Sequence, residues 1–596
     1  MKIRAWSDWT MDRWVLLVFV LAGLGDGVFP RLPVHAESPP TSATDHKDWS
    51  MYNYDVMGSR YNRGEETLVP KRVPELVEKW RFPGRKSRGK VGVIHATPTV
   101  VNGHVYFGTA TYPAFYKLKP NGQPAWIYRP YGVSRQGLTL RHPIREMVAN
   151  RIAAERGILG SALVTDKRVF FGDVAGVFYA LDRFTGEELW KVDSRAKGFP
   201  GAHVANTFMS SPILVQGRVV VGGGGFEHGQ ALDPGYACCS GRGFVLAFEP
   251  ATGNIAWKYD VGPRPVRFDQ PVVISDDKGE HSFTHGPSTS SVWSTPSYHA
   301  GTSTIFFGTD VHNSPRQPTP DDPRLYNKYS SAVIALDASN GKEKWVKQIN
   351  QGDIFNYAMS SYDSKTNRYK DMSIGDTPKI YTIQVEGQDV LVVGVGCKNG
   401  GYYVLRSDDG QLVNQTPIYR GKPKYPLDPS PDPRVIALPS PIGGIQTGCA
   451  TDGKRVFTNG IDFLRMGHGV PTAGRVVSLH LDASQEFWRH ERPAPGTPAQ
   501  AGDPVAAGIA VAAGVVYFTT TASHRLVAVE ASSGRVLKEI QLDTLWTGPS
   551  VSRGRVYVGT GSILFLGRKY TGTLHSFGLP GEDEVSRLGA GDETTR

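Results

Sequence analysis

Ala180-Leu-Asp-Arg-Phe-Thr-Gly-Glu-Glu-Leu-Trp190 is the stretch that decides the fold. It reads as the end of one strand, a Thr-Gly turn and the start of the next strand, closed by a tryptophan. The same order returns in Ala247-Phe-Glu-Pro-Ala-Thr-Gly-Asn-Ile-Ala-Trp257 and in Ala335-Leu-Asp-Ala-Ser-Asn-Gly-Lys-Glu-Lys-Trp345. Weaker copies surround Gly122 with Trp126, Val404 to Gly410, Ser478 with Trp488, Ala528 to Gly534, and Leu574 to Phe577. Apolar hairpins such as Thr97-Pro-Thr-Val-Val-Asn-Gly-His-Val-Tyr-Phe-Gly108 precede the copies. A four-stranded unit repeated with fixed turn residues is the sequence form of a β-propeller. Eight motifs predict an all-β, eight-bladed β-propeller. The tryptophans are assigned to packing between blades and set aside as functional candidates. Glu75-Leu-Val-Glu-Lys-Trp80 carries a similar tryptophan ahead of the first hairpin, and is expected to complete the last blade and close the ring. The units between Gly186 and Val404 carry long insertions, expected on one face, where repeat proteins build their binding sites.

Composition agrees. The 596 residues include 68 Gly, 42 Pro, 25 Tyr and 12 Trp, with 20% charged, a loop-rich all-β mixture. The net charge of +10 is scattered without a dense basic block, which argues against a nucleic-acid partner. Trp14 to Leu24 is an apolar run preceded by Lys2, Arg4 and Arg13 and followed by Val34-His-Ala36. It is shorter than the ~20 residues that span a bilayer, and predicts a secretory signal peptide over residues 1–36. Residues 37–47 read as a linker, 48–580 as the propeller and 581–596 as a polar, disordered tail. No later segment is apolar enough to cross a membrane. A periplasmic or secreted location is expected, and with it an oxidising compartment.

Cys238 and Cys239 are neighbours in Asp233-Pro-Gly-Tyr-Ala-Cys-Cys-Ser-Gly-Arg-Gly243, and the chain holds only Cys397 and Cys449 besides. Adjacent α-carbons lie ~3.8 Å apart across a trans peptide, below the usual disulfide range of ~4.4–6.8 Å. A bond between them closes a small, strained ring, a feature that gathers at functional sites. Two buried thiols are the commoner arrangement. The Gly/Pro-rich loop favours the ring.

With Asp48-Trp-Ser-Met-Tyr-Asn53 and Ser59-Arg-Tyr-Asn62, this segment resembles the quinoprotein alcohol dehydrogenases, and most nearly their polyvinyl-alcohol-dehydrogenase-like branch, over Asp48 to Pro580. The resemblance implies a propeller that carries pyrroloquinoline quinone and calcium. It implies that Cys238 and Cys239 form one wall of the quinone slot. Trp293, in Ser291-Val-Trp-Ser-Thr-Pro296, matches the other wall, and Arg242 falls near the quinone carboxylates. Glu227, after four glycines, falls on the family's glutamate ligand to calcium. Asp310, in Gly308-Thr-Asp310, stands where the family has asparagine, with Asn313 as the second candidate. Lys398, in Cys397-Lys-Asn-Gly400, matches the basic residue at the reactive quinone oxygen.

The catalytic base departs from the family. Asp353-Ile-Phe-Asn-Tyr357 matches its Trp-Asp-Tyr-like segment but puts Asn356 at the aspartate, and asparagine accepts no proton from an alcohol. In Asp371-Met-Ser-Ile-Gly-Asp-Thr-Pro378 the residue aligned with the branch's aspartate is Ser373, flanked by Asp371 and Asp376. Asp371 is the expected base, on the strand face of Ser373, with Asp376 second. Thr447 is a further departure, standing where the branch tends to carry tryptophan.

The resemblance thus implies a dehydrogenase for a small-molecule or polymeric alcohol. No Cys-x-x-Cys-His occurs, so electrons are expected to pass to a separate acceptor such as a cytochrome c. No Gly-x-Gly-x-x-Gly stands in a strand–helix context, which argues against nicotinamide and flavin. The competing expectation is a cofactor-free propeller that scaffolds envelope proteins, a reading that the altered base position favours.

Overall fold

Runs such as Val-Phe-Phe at 169–171 and Val-Ile-Ala-Leu at 333–336 are too continuous for a strand with one wet face. Each becomes an inner strand buried on both sides. Strands richer in charge, such as Glu188–Asp193, lie outermost and alternate between exposed and half-buried. The computed structural model describes residues 45–581 apart from 88, 133–155, 228–235, 237, 277–278, 288–289, 314–326, 352, 354–370, 419–442, 464–470, 493–502 and 564–568. The chain divides into a unit over residues 1–38, outside the described residues, and one over 39–596. The expected signal peptide, Asn356 and the tail beyond 581 therefore lie outside the description.

Eight four-stranded antiparallel sheets follow one another as blades. Blades 1 to 7 occupy residues 99–128, 163–193, 213–260, 297–348, 379–417, 450–492 and 510–541. Blade 8 takes three strands from 550–578 and its outermost strand, Val77–Phe82, from the other end of the unit. The ring is closed there as expected from Trp80, which faces Ser576 in the same register as Trp190 facing Ala180.

Each repeat tryptophan docks on the next blade. The Trp126 ring lies where a Cβ on Gly186 would sit, at 2.6 Å, and Gly186 holds a left-handed φ of 77°. Its indole nitrogen donates to the Arg183 carbonyl at 3.1 Å. Trp80, Trp190, Trp257, Trp345 and Trp488 repeat the arrangement on Pro120, Pro250, Ala338, Ser407 and Ala531. Two junctions lack the ring. There Asn414 donates to the Asp482 carbonyl at 3.0 Å, and Lys538 to the Pro74 carbonyl at 2.7 Å. The hydrogen bond is kept where the aromatic surface is not. Stacked rings reinforce the joints, with Phe115 on Phe171 at 4.2 Å and Phe178 on Phe248 at 5.1 Å.

Before the first blade, Trp49–Asn62 runs as a strap past the innermost strands. Trp49 pairs with Val100 of blade 1, and the Ser50, Val56, Met57, Ser59 and Arg60 carbonyls accept from Val164, Tyr298, Ile380, Thr451 and Val511. Those strands belong to blades 2, 4, 5, 6 and 7. Asn62 donates to the Val551 carbonyl of blade 8 at 2.7 Å, and Met51 enters the core that blades 2 to 4 share. Arg60 is fully buried and donates to the carbonyls of Tyr52, Ile509 and Pro549, with its guanidinium 4.5 Å from the Tyr52 ring. Burial lowers the pKa of that group.

Within an antiparallel blade, the second-to-third-strand connection and the blade-to-blade connection fall on one face. The long connections are all of these two kinds, including 129–162, 226–242, 261–296, 309–331, 349–378 and 418–449. The connections of the opposite face are short turns, as at 102–103 and 216–217. The insertions are gathered on one face, as expected.

Candidate active site

A ladder of backbone hydrogen bonds links neighbouring blades on the loop face. Val292 N donates to Gly223 O, Asp310 N to Ser291 O, Ile374 N to Thr309 O, Lys398 N to Ser373 O and Ile445 N to Cys397 O. Trp293, Asp310, Ser373 and Lys398 thus sit on, or next to, the rungs of one rigid belt. Their relative placement is set by main chain, which suits a site that must be pre-organised.

Asp371 and Lys398 meet across the joint between blades 4 and 5. Lys398 Nζ is 2.9 Å from Asp371 Oδ1, and the Ser373 hydroxyl donates to the same oxygen at 2.7 Å. Asp371 has a left-handed φ of 40°, so it lies outside any strand. Its contact with Ser373 is a direct bond and owes nothing to strand alternation. Lys398 Nζ also stands 5.4 Å from the centre of the Trp293 ring. That ring is seated on Gly375, where a Cβ would fall 1.7 Å from Cη2, so only glycine fits. Asp371, Ser373, Lys398, Trp293 and Gly375 form one cluster.

The loop carrying Asp371 is anchored from behind. Met372 N donates to Asp353 Oδ2 at 2.7 Å, and the Ser331 hydroxyl donates to that oxygen at 2.5 Å. Asn350 donates to the Met372 carbonyl at 3.0 Å and to Cys397 Sγ at 3.2 Å. Burial pushes the Cys397 thiol up to about 12, so it stays protonated beside Lys398.

Asp376 is elsewhere. It is fully buried in an ion pair with Lys379, at 2.6 Å, and accepts from Gly396 N and Cys449 N at 2.8 and 2.9 Å. Its carboxylate ties blade 5 to the segment that leads into blade 6. Thr447 takes a hydrogen bond with Tyr52 of the strap, at 2.7 Å.

Cys238 and Cys239 are bonded to each other and buried. The return strand of a hairpin, Gly279–Gly286, holds them by main chain: Thr284 N donates to Cys238 O at 2.7 Å and Cys239 N to His285 O at 3.2 Å. Cys239 Sγ lies 3.0 Å from the Asn313 carbonyl, and both sulfurs lie within 4.8 Å of a Glu227 oxygen. Glu227, the disulfide and Asn313 are therefore a second cluster. The sulfurs are committed to each other, which leaves oxygen as the ligand type there.

Glu227 is fully buried. Its Oε1 accepts from Tyr236 OH and Ser240 N, both at 2.8 Å, and its Oε2 from Gly241 N at 2.7 Å. Burial and the Glu227 charge raise the Tyr236 pKa, so the phenol remains a donor. His203 Nδ1 accepts from Ala205 N, which puts its proton on Nε2, 3.0 Å from Ser240 Oγ and 3.7 Å from Glu227 Oε1. Asp310, also buried, accepts from the Ser291 hydroxyl at 2.9 Å. Among the described residues neither carboxylate meets a lysine or arginine within ion-pair range. Each of these buried acids is served by neutral donors, and each offers the oxygen type that a hard divalent cation takes. Arg242 turns to Asp260, at 3.2 Å, and to the Gly262 carbonyl of its own blade.

Asp353, His203 and Tyr236 take no role in the sequence reading. Tyr236 lies inside the segment around the cysteines, and Asp353 opens the segment containing Asn356, so both had a signal. Nothing in the sequence pairs His203 with Glu227. An axial cavity of about 210 Å³ is lined by Tyr52, His95, Met209, Trp293 and Trp546 among others. Burial holds the His95 imidazole down to about 4.

The glucose/ethanol/alcohol dehydrogenase β-propeller domain matches residues 49–419, and the outer membrane protein assembly factor BamB matches residues 472–573. A polyvinylalcohol dehydrogenase of a Pseudomonas species is 24% identical over 552 residues, which cover 88% of this chain and 74% of that protein. The quinohemoprotein alcohol dehydrogenase of Comamonas testosteroni is 25% identical over 609 residues, covering 90% and 76%. The crystal structure of that quinohemoprotein superposes with a TM-score of 0.64 at 19% identity, covering 91% of this chain and 82% of the other. A europium-containing methanol dehydrogenase gives 0.62 at 17% identity, covering 90% and 99%.

Proposed function

The chain belongs to the glucose/ethanol/alcohol dehydrogenase β-propeller family, and on that premise we propose that it is a pyrroloquinoline-quinone-dependent alcohol dehydrogenase with Asp371 as its base. The observation that carries this reading is the buried Asp371–Lys398 pair beside the Trp293 ring. Trp293 and the Cys238–Cys239 disulfide would hold the quinone, with Lys398 at its reactive edge. Glu227, Asp310 and the Asn313 carbonyl would hold calcium. When bound, the quinone supplies the two-electron acceptor and the calcium a Lewis acid.

The residues of the chain do the remainder. Asp371 takes the hydroxyl proton of the alcohol as its C–H bond breaks. Lys398 orients Asp371, and the two carry the exposed charge of the cluster, about a tenth of each side chain. Trp293, fixed on Gly375, sets the plane against which a flat ring packs. Asp376, whose Oδ1 is engaged by Lys379 and Cys449 N and whose Oδ2 accepts from Gly396 N, is not the base in this reading.

In this reading electrons leave to a separate carrier. A relative from Thauera butanivorans, 22% identical over 624 residues, is a 1-butanol dehydrogenase that uses cytochrome c. A disulfide between neighbouring cysteines and the apolar run at Trp14 to Leu24 support export to the periplasm. No helix among the described residues is long and apolar enough to cross a membrane.

The alternative, a cofactor-free scaffold, draws on the match of residues 472–573 to BamB. The test is to titrate protein with calcium and the quinone, follow the absorption spectrum, and assay primary, secondary and polymeric alcohols with a dye acceptor. Quinone binding with alcohol-dependent dye reduction supports the enzyme. Asp371→Asn is then expected to lower turnover by about 10²–10⁴-fold while quinone binding is kept. No quinone binding and no oxidation of any alcohol would leave the scaffold.

A further inference from the structure

Oδ1 of Asp371 receives two donors, Lys398 Nζ at 2.9 Å and the Ser373 hydroxyl at 2.7 Å. Among the described residues, Oδ2 accepts none. The asymmetry has a chemical consequence. A carboxylate turns readily about its last bond, because that torsion is broad and two-fold. One donor on one oxygen still allows the group to swing. Two donors converging on the same oxygen from different sides fix the plane and make the two oxygens inequivalent. We propose that Ser373 is a positioning residue for the alcohol reaction: together with Lys398 it holds Oδ1, so that Oδ2 is the atom that receives the substrate proton. The inference rests on Asp371 being the base.

The surroundings support it. Ser373 is fully buried and its hydroxyl has one proton, which it gives to Oδ1. Its carbonyl accepts from Lys398 N at 3.3 Å, so the two donors are tied to each other by main chain. Between Asp371 and Ser373, Met372 is held at both ends of its peptide, by Asp353 at N and Asn350 at O. With Met372 anchored in this way, the carboxylate torsion is the freedom that Ser373 removes. The charged and titratable groups around it are Lys398 on the facing loop, Asp353 behind Met372, and the Cys397 thiol, 3.2 Å from the Met372 carbonyl.

The experiment compares Ser373→Thr with Ser373→Val in the quinone- and calcium-loaded protein. The two variants have nearly the same volume, so any steric cost is shared, and only threonine keeps a hydroxyl. Ser373→Ala serves as a third variant that adds no bulk. The expected result is that valine and alanine lower kcat by about tenfold or more with KM little changed, on the scale of a lost hydrogen bond to a charged group. In both, the acid-side limb of the pH–rate profile moves to higher pH, because a donor to the ionised form has gone. Threonine restores both features toward wild type. If valine matches threonine, and alanine matches wild type in kcat and pH profile, Ser373 has no positioning role. Asp371→Asn separates this failure from a failure of the base assignment. A dead Asp371→Asn beside a fully active Ser373→Ala overturns only the inference about Ser373. An active Asp371→Asn overturns both.

Discussion

At the scale of single residues, close approach explains more of the site than charge does. Gly375 is needed because the Trp293 indole occupies the space of its missing side chain. Gly375→Ala is therefore expected to push the indole off its seat and weaken quinone affinity by tenfold or more, with the melting temperature changed little. Equal affinity in the variant would show that the seat is dispensable. His95 gives a second prediction. Its folded value is held near 4 by burial, against 6.5 for an ordinary imidazole. The folded state thus binds fewer protons than the unfolded chain in this window, and stability present above about 6.5 is lost as pH falls toward about 4. Replacing His95 by glutamine should flatten that slope. Melting temperatures of both proteins at a series of pH values across the window check it, and parallel curves would refute it.

At the scale of elements, the tryptophan joints are predicted to carry the stability of the ring. Trp345 is 9% exposed and donates to the Ser407 carbonyl. Trp345→Ala should cost about 3 kcal/mol or more, combining a lost aromatic ring with an orphaned carbonyl. Denaturant titration measures this, and a loss below about 1 kcal/mol would move the role of the joint elsewhere. These joints were legible because each is written locally, in eleven residues around a turn such as Ala180 to Trp190. The closing strand was legible for the same reason, since Trp80 repeats the signal. The strap's pairing was not, because Asn62 and Val551 are 489 positions apart and no periodicity links them. In the site, the cysteine pair and Lys398 could be singled out by motif. Asp371 was chosen over Asp376 by strand alternation, an argument its left-handed backbone does not support. What separates the two aspartates is their partners, one facing Lys398 beside Trp293 and the other enclosed with Lys379. Lys379 is three residues from Asp376, whereas Lys398 is 27 residues from Asp371, a distance that leaves no spacing to read.

At the scale of the whole molecule, a buried cation among carbonyls fastens the strap to the ring. Arg60 serves the Tyr52, Ile509 and Pro549 carbonyls at once. Arg60→Leu would strip those acceptors together, at a cost on the order of 3 kcal/mol. Thermal unfolding should start earlier and become less cooperative, whereas an unchanged single transition would show that the strap only decorates the ring. The strap also has a meaning for descent. Repeat arrays change length when recombination drops or copies a unit, because each unit answers only to its neighbours. Here one segment, Trp49–Asn62, meets blade after blade in sequence order, from Val100 in the first to Val551 in the last. A seven- or nine-bladed offspring would inherit a gauge cut for eight. The copy number is thereby fixed by a short stretch outside the repeats, and the blades are free to diverge in sequence but not in number.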